Sequence, residues 1–287
     1  MLHFVSKENN KYIIEKTNTF SIWLLPGCLN NEIVDWIARE RSIPFNSISN
    51  KLEQPTDADE RDNYYYHLLI WHNHRQELIA GQRLRFNYNN FKVESKHSYL
   101  EHCYPGLHEY LEKKNLRTSE IGRTFIMPKY QNKIWLKELI RAFVRIPEAN
   151  GISHAMGMVS FNHKNISNEA LISFISSLEY CGFKGSIKLP ETKFKLEIQT
   201  NKDLKIKNWD GFDLDHLEKN IRKIDSRFTI PPVFKMYRKL TSLKYEGISI
   251  ANDYNGLMQI LMSGSSELIN KSQRRILKPY ASLSTWD

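Results

Sequence analysis

Glu120-Ile-Gly-Arg-Thr-Phe-Ile-Met-Pro-Lys-Tyr130 is the stretch on which the reading of this chain turns. Ile121, Phe125 and Ile126 favour a strand, and Pro128, which has no N–H to give a ladder, ends it. Glu120 and Arg123 lie three apart and would face opposite sides of a regular strand. Gly122 between them invites a bulge that turns both toward one cleft. After Tyr130 the period changes. Ile134, Trp135, Leu139, Ile140 and Phe143 recur at helical spacing until Pro147, where a helix is expected to stop. A strand bearing a carboxylate, a turn and an amphipathic helix suit an acyl-transfer site; an ordinary ion pair at a sheet edge accounts for the same residues structurally.

Working outward, residues 12–24 favour extended structure, and 31–41 a short helix with Ile33, Trp36 and Ile37 on one face. A polar loop from Ser47 to Asp62 ends in the acidic cluster Asp57-Ala-Asp-Glu-Arg-Asp62, expected to be solvated and also suited to hold a cationic amine. Residues 64–71 and 78–86 are strands joined by a polar turn. Downstream, 155–161 is a strand. Ser167 or Asn168 caps a helix whose Leu171, Phe174, Ile175 and Leu178 form a core stripe, and Gly182 ends it. These elements make an α/β layer, one curved sheet with helices packed on it. The composition shifts near residue 189, dividing a core at 1–188 from a C-terminal part at 189–287. That part holds a strand at 193–199, a helix from Asp213 or Asp215, a helix at 233–243 and a helix at 266–277. Lys235, Arg238, Lys239, Arg274 and Arg275 give two of these helices a basic face, which suggests docking to an anionic surface.

In 287 residues, 41% hydrophobic content and 12% aromatic content describe a globular chain. No apolar run reaches the roughly 18 residues of a membrane span, and the N-terminus lacks the apolar core of a signal peptide. Cys28, Cys103 and Cys181 are too scattered for a metal pair or a disulfide framework, so a reducing cytoplasm is the expected location. His72 and His74 share a turn without a third ligand, and no metal is expected. Lys and Arg total 41 against 32 Asp and Glu, a net charge of +9, with a pI near 9.3. That balance favours anionic partners. Nucleic acid is not among those expected, because the basic residues are spread over helices and not interleaved with exposed aromatics.

In order along the chain, Asp57-Ala-Asp, Tyr66-His-Leu-Leu, Ile79-Ala-Gly-Gln-Arg-Leu, Glu120-Ile-Gly-Arg, Pro128-Lys-Tyr-Gln and Ile134-Trp resemble a branch of the acetyltransferase (GNAT) superfamily. That branch comprises acyl carrier protein-dependent N-acyltransferases of ornithine and glycine lipid synthesis, often labelled hemolysin-like. N-acyl amino acid synthases and homoserine-lactone autoinducer synthases are similar more distantly. Ile230-Pro-Pro-Val-Phe-Lys-Met-Tyr-Arg-Lys-Leu and Asn252-Asp-Tyr-Asn-Gly-Leu-Met continue the likeness, which spans about residues 30 to 262. It implies a GNAT-like curved mixed sheet flanked by helices, with a C-terminal helical extension. The implied reaction moves a long-chain fatty acyl group from an acyl carrier protein thioester to the amino group of a glycine- or ornithine-like amino acid. The alternatives are an autoinducer-synthase-like enzyme using S-adenosylmethionine, or a non-catalytic basic protein that binds membrane or nucleic acid.

The resemblance also implies roles. Glu120 is the expected base, and Arg123 or Arg83 the expected clamp on an acceptor carboxylate or carrier phosphate. Asp59 or Asp62 is expected to hold the acceptor's ammonium, and Phe125 and Trp135 to line the acyl channel. No cofactor is held permanently; acyl-phosphopantetheine on acyl carrier protein is the donor. The partners are that carrier, an amino-acid acceptor and an anionic membrane surface, with peripheral attachment to its inner face. One departure bears on the donor. The glycine-rich turn that cradles a pyrophosphate is replaced by Met127-Pro-Lys-Tyr-Gln-Asn-Lys133. Coenzyme A needs that cradle more than phosphopantetheine does, since the latter carries a single phosphate.

Overall fold

The computed structural model describes residues 7–48, 56–87, 95–241, 243–251 and 256–280. Asp253 and most of the loop between Ser47 and Thr56 lie outside the described residues. Eight strands form one sheet in the order β1-β2-β3-β4-β5-β6-β8-β7. They are β1 (Ile13–Lys16), β2 (Phe20–Pro26), β3 (Tyr66–His72), β4 (Glu77–Asn87), β5 (Thr118–Ile126), β6 (His154–Phe161), β7 (Lys244–Ala251) and β8 (Leu257–Ser265). Every neighbouring pair is antiparallel except β5 and β6. Those two run parallel for only four residue pairs, Thr118↔His154 to Ile121↔Gly157.

Helices cover both faces. On one lie α4 (Lys133–Ala149), α5 (Asn168–Tyr180), α6 (Leu214–Ile221) and α7 (Pro232–Leu240), sharing the main core with Leu68, Ile70, Leu84 and Met262. On the other lie α1 (Asn31–Ile48), over Trp23, Leu69, Trp71 and Phe125, and the short α2 (Tyr99–Cys103) and α3 (Leu107–Lys113), over Met156 and Leu261. A last short helix, α8 (Lys271–Ile276), follows β8. The caps are local. Asn132, Ser167 and Asp213 each accept from amides of the first turn of the helix that follows.

Four elements depart from the sequence reading. Helix α1 runs to Ile48 through Pro44, and α4 runs to Ala149 through Pro147. A proline removes only its own N–H, and packing of the apolar stripe carries each helix past the gap. Residues 193–199 alternate between exposed and half-buried side chains as a strand would, but make no ladder. The amide of Ile250 donates to the Phe194 carbonyl, 3.0 Å, and there the pairing stops. The fourth departure is the β7–β8 hairpin. Residues 189–287 were expected to complete the fold with one strand at 193–199 and basic helices, and they supply instead two later strands of the common sheet. β8 lies between β6 and β7, buried from Leu257 to Ser263. Its Leu-Met-Gln-Ile-Leu-Met run has none of the alternation that marks a strand with one face in water.

At the end of β2 the chain passes so close to Glu60–Tyr64 that no side chain fits. A Cβ on Gly27 would lie 2.1 Å from the Asp62 carbonyl oxygen and 2.7 Å from that of Tyr65. Gly27→Ala is therefore expected to cost about 1–3 kcal/mol through forced backbone movement. A thermal melt checks this, and an unchanged Tm would show that this packing yields freely.

Candidate functional site

Beyond Ile121 and Gly157 the two parallel strands part, β5 staying with β4 and β6 with β8. A cavity of about 870 Å³ fills the gap. Small-molecule sites span roughly 300–1,000 Å³. Residues 121–126 form one wall and residues 157–160 the other, while Leu136 and Phe143 of α4 and Val233 and Tyr237 of α7 close one side. Most of this lining is apolar. Its charged members are Arg83, Glu120, Arg123 and Arg227.

The wall on β5 is bent by a bulge. Gly81 faces Phe125 and Arg83 faces Gly122, so Arg123 and Thr124 together occupy the place opposite Gln82. The left-handed residue is Arg123 itself, with φ 51°, and not the neighbouring glycine. A non-glycine residue held there costs roughly 1–3 kcal/mol and persists only where its surroundings fix it. Here the guanidinium of Arg123 is gripped by Asp57, with Asp59 at 3.6 Å. The extra residue puts Glu120 and Arg123 on the same cavity wall, as the glycine between them suggested. It also places the Thr124 hydroxyl 3.3 Å from that of Tyr237 across the cleft.

Behind Arg123 lies a buried ionic cluster. Arg41 grips Asp57 through Nε and Asp62 through both terminal nitrogens, at 3.1 and 2.8 Å. Arg83 donates to Asp59 and Asp62, 3.0 Å each, and its guanidinium lies 4.5 Å above the Tyr65 ring. The acidic segment is thus not a solvated loop, and the cations it holds are the chain's own arginines. Burial alone would raise the Asp62 carboxyl, but Arg41 and Arg83 outweigh it and hold the group well below the usual carboxylate range. Asp59 is lowered for the same reason, against its burial, chiefly by Arg83. Burial would lower Arg83, yet Asp62, Tyr65 and Asp59 keep it charged more firmly than usual. His67 touches the cluster from beneath, its Nε2 2.8 Å from the Asp62 carbonyl oxygen, and burial pushes it down to about 4.

Glu120 was the expected base, and its surroundings are those of an anchor. Oε1 accepts from the Tyr65 hydroxyl at 2.6 Å and from the amides of Tyr99 and Leu100 at 3.0 and 3.1 Å. Oε2 accepts from the Ser98 hydroxyl at 2.6 Å, and Arg85 stands 3.9 Å away. Three donors crowd Oε1 and one reaches Oε2, which fixes the carboxylate in place, and taking a substrate proton there would compete with these bonds. Phe125 lines the cavity beside Phe45, whose ring lies 6.4 Å away. Trp135 does not line it; the indole packs edge-on against Phe20.

The five expected docking cations do not form one surface. Arg238 is buried, donating to the carbonyls of Leu243 and Gly211 at 3.1 Å each. Lys235 pairs with Asp215 and Glu218, and Arg274 with Glu148. Lys239 and Arg275 are exposed. Amphipathic periodicity placed Arg238 on a polar face, but a guanidinium can stack between Phe183 and Phe212 and still reach carbonyls.

Arg41, Tyr65, Ser98, Thr124 and Tyr237 were not singled out from the sequence. Arg41 did leave a trace, standing four residues after Ile37 on the apolar stripe of α1, where a charge needs a partner.

Residues 44–141 match the family model of the acetyltransferase (GNAT) domain. The mixed α/β sheet flanked by helices matches the GNAT fold. No curated protein sequence matches the chain. Among solved structures, the chain is similar to FeeM, an N-acyl amino acid synthase from uncultured soil microbes. That likeness has 6% identity and a TM-score of 0.44, over 86% of this chain and 91% of that one. It is similar to the CoA-dependent acyl-homoserine lactone synthase BjaI at 9% identity and a TM-score of 0.43, over 88% of this chain and 85% of that one. It is also similar to the ribosomal-protein-S5-alanine acetyltransferase from Vibrio fischeri at 7% identity and a TM-score of 0.39, over 89% of this chain and 98% of that one.

Two stability measurements follow from the buried groups. His67 titrates near 4 when folded and near its ordinary 6.5 when unfolded, so the unfolded chain takes up a proton first as pH falls. Stability should drop between those values by up to roughly 3 kcal/mol, with no contribution from this group above the upper one. Asp59 and Asp62, both held low, add stability that is present above their ordinary range and lost as pH falls below it. Melts of the wild type and His67→Gln across this range should differ in slope, and equal slopes would acquit His67. In Glu120→Gln the carboxamide oxygen keeps the Tyr65 hydroxyl and the two amides while its NH₂ faces Ser98, whose hydroxyl must turn to accept, and loss of the charge-assisted bonds should cost about 1–3 kcal/mol. Wild-type melting with slowed turnover that high pH restores would instead return Glu120 to the role of base.

Proposed function

We propose that this protein is an acyltransferase that moves a fatty acyl group from a phosphopantetheine thioester to an amine, with the thioester held between β5 and β6. The observation that carries this reading is the cleft itself. It is an apolar gap between two parting parallel strands with a charged floor, bounded on one wall by residues of the segment matching an acetyltransferase domain.

In the reaction, the amine nitrogen attacks the thioester carbonyl, a C–N bond forms, the C–S bond breaks, and the thiol leaves. The amine must arrive neutral, and its second proton passes to water. The bulge at Arg123 and Thr124 breaks the regular ladder where a backbone N–H can be aimed at the developing oxyanion, a donor worth roughly 3 kcal/mol. The departing thiolate takes a proton from the Tyr237 hydroxyl, which regains one from the water that received the amine's proton. Burial raises Tyr237 above its ordinary value, against the contact with Thr124, so it stays protonated at neutral pH. Glu120 positions the Tyr99–Leu100 turn at the floor of the cleft. An amino-acid acceptor would meet Arg123 at this end of the cleft as a partly exposed positive charge, its guanidinium already engaged by Asp57 and Asp59.

The donor is best read as an acyl carrier protein. The cap on α4 already takes its amides: Asn132 Oδ1 accepts from Ile134 at 2.9 Å and from Trp135 at 3.3 Å. A pyrophosphate would have to displace that cap, while a carrier-borne phosphopantetheine brings one phosphate and a protein surface of its own. The acidic carrier would also meet a chain of net charge +9.

Tyr237→Phe should lower kcat by about 10² with an acyl-pantetheine donor and leave the melt near that of the wild type. The loss should shrink with a more acidic leaving thiol; a uniform loss across thiols would remove Tyr237 as the acid. For the donor, kcat/KM should favour the carrier thioester over the coenzyme A thioester of the same chain, and the gap should narrow as salt rises. Equal values for the two donors would sink the carrier assignment.

A further inference from the structure

The large cavity does not end against a solid wall. Phe143 and Leu243 line it on one side and line a second, small cavity of about 20 Å³ on the other. Behind them lie Val144, Pro147, Ile152, Ala155 and Ile269, with His154, Thr241 and three serines completing the lining. Phe143 stands seven residues after Leu136 on the same face of α4, and both touch the large cavity. The four charged lining residues among those described come from elsewhere: Arg83 from β4, Glu120 and Arg123 from the β5 wall, and Arg227 from the loop after α6. Among the described residues, Phe143, Leu243 and Met262 therefore close a limb with no charged side chain in its lining.

Leu243 is held in place by β8. It sits against Gly264 of β8 so closely that a Cβ there would lie 2.8 Å from Leu243 Cδ2 and 3.3 Å from its Cα. The glycine is what allows the leucine to lie back from the cavity. Leu243 is 3% exposed and Phe143 4%, so neither is set by solvent.

We infer that Leu243, seated on Gly264 and flanked by Phe143, is the end stop that sets how long an acyl chain the cleft accepts. The inference rests on the acyl-transfer reading of this cleft and adds its specificity. An alkyl chain entering the apolar limb runs until its terminal methyl meets Leu243, and one carbon more must displace a packed side chain. Trimming the leucine opens the way to the small cavity. Filling the glycine pushes the leucine toward the substrate.

The test uses the full chain and a ladder of saturated acyl-pantetheine thioesters differing by two carbons. A matching ladder of inert S-alkyl pantetheine thioethers is read by thermal shift. Leu243→Ala should move the optimum in both readouts to chains about two to four carbons longer. Leu243→Val, which disturbs the core less, should move it the same way by less. Gly264→Ala should move it toward shorter chains. If wild type binds and turns over the ladder but none of the three variants moves the optimum, the end stop is elsewhere and acyl transfer stands. If the wild type neither binds nor turns over any member of the ladder, the acyl-transfer reading falls and the end stop falls with it.

Discussion

The grip of Asp57 and Asp59 on Arg123 is the interaction from which the rest of the site follows. A strand residue with left-handed backbone does not persist on its own energy, and glycine, which would adopt that conformation freely, is one position earlier. The carboxylates fix the arginine, and the arginine fixes the bulge. The bulge falls just where β5 leaves β6, after Ile121 and Gly157. Without it, Glu120 and Arg123 would face opposite sides of the sheet, and Thr124 would not be turned toward Tyr237.

The cost of that arrangement appears in the cluster behind it. Four arginines, Arg61 on Asp59 among them, and three aspartates are drawn largely out of water together, and desolvation of so many charges offsets much of their mutual attraction. Such a cluster is better suited to specify one geometry than to add stability. Apart from Arg61, each member has two or more charged neighbours within the cluster, so loss of any one strands the others. Arg41 shows this most clearly, since it bridges Asp57 and Asp62 from a helix otherwise bound to the sheet by apolar contacts. A segment with no regular strand is thereby locked to α1 on one side and to β4 and β5 on the other.

The cleft separates two chemistries by distance from this cluster. Near it the lining offers charged and hydroxyl groups, fit to orient a polar acceptor. On the α4 side it offers Leu136, Phe143 and Leu243, fit for an alkyl chain. A thioester lying between β5 and β6 would present its carbonyl at the junction, where the bulge and Tyr237 meet. Positioning of this kind accounts for much of what acyl transfer asks of a protein, because the thioester is already activated.

Much of the architecture could be read along the chain. The period change after Tyr130 marked the helix α4, Ser167 or Asn168 and Asp213 or Asp215 marked helix starts, of which Ser167 and Asp213 are the caps, and Gly122 between Glu120 and Arg123 pointed to a bulge within one residue of its place. Local rules suffice there, because a cap or a bulge is decided by a few adjacent residues. The acidic segment was misjudged as solvated because its counter-charges come from Arg41, Arg83 and Arg123, at 16 to 66 positions' remove from Asp57 or Asp62. The anchoring of Glu120 could not be read along the chain, because nothing near it in sequence announces Tyr65 or Ser98, whose hydroxyls hold its carboxylate. Arg238 looked exposed because periodicity assigns a face without saying what covers it. The β7–β8 hairpin was missed because a strand buried on both sides loses the alternation by which strands are recognised. Short-range sterics and periodicity lie within the chain's own order. Which charge meets which, and which face is covered, are decided only when distant segments pack, since burial and Coulomb energy depend on distance in space.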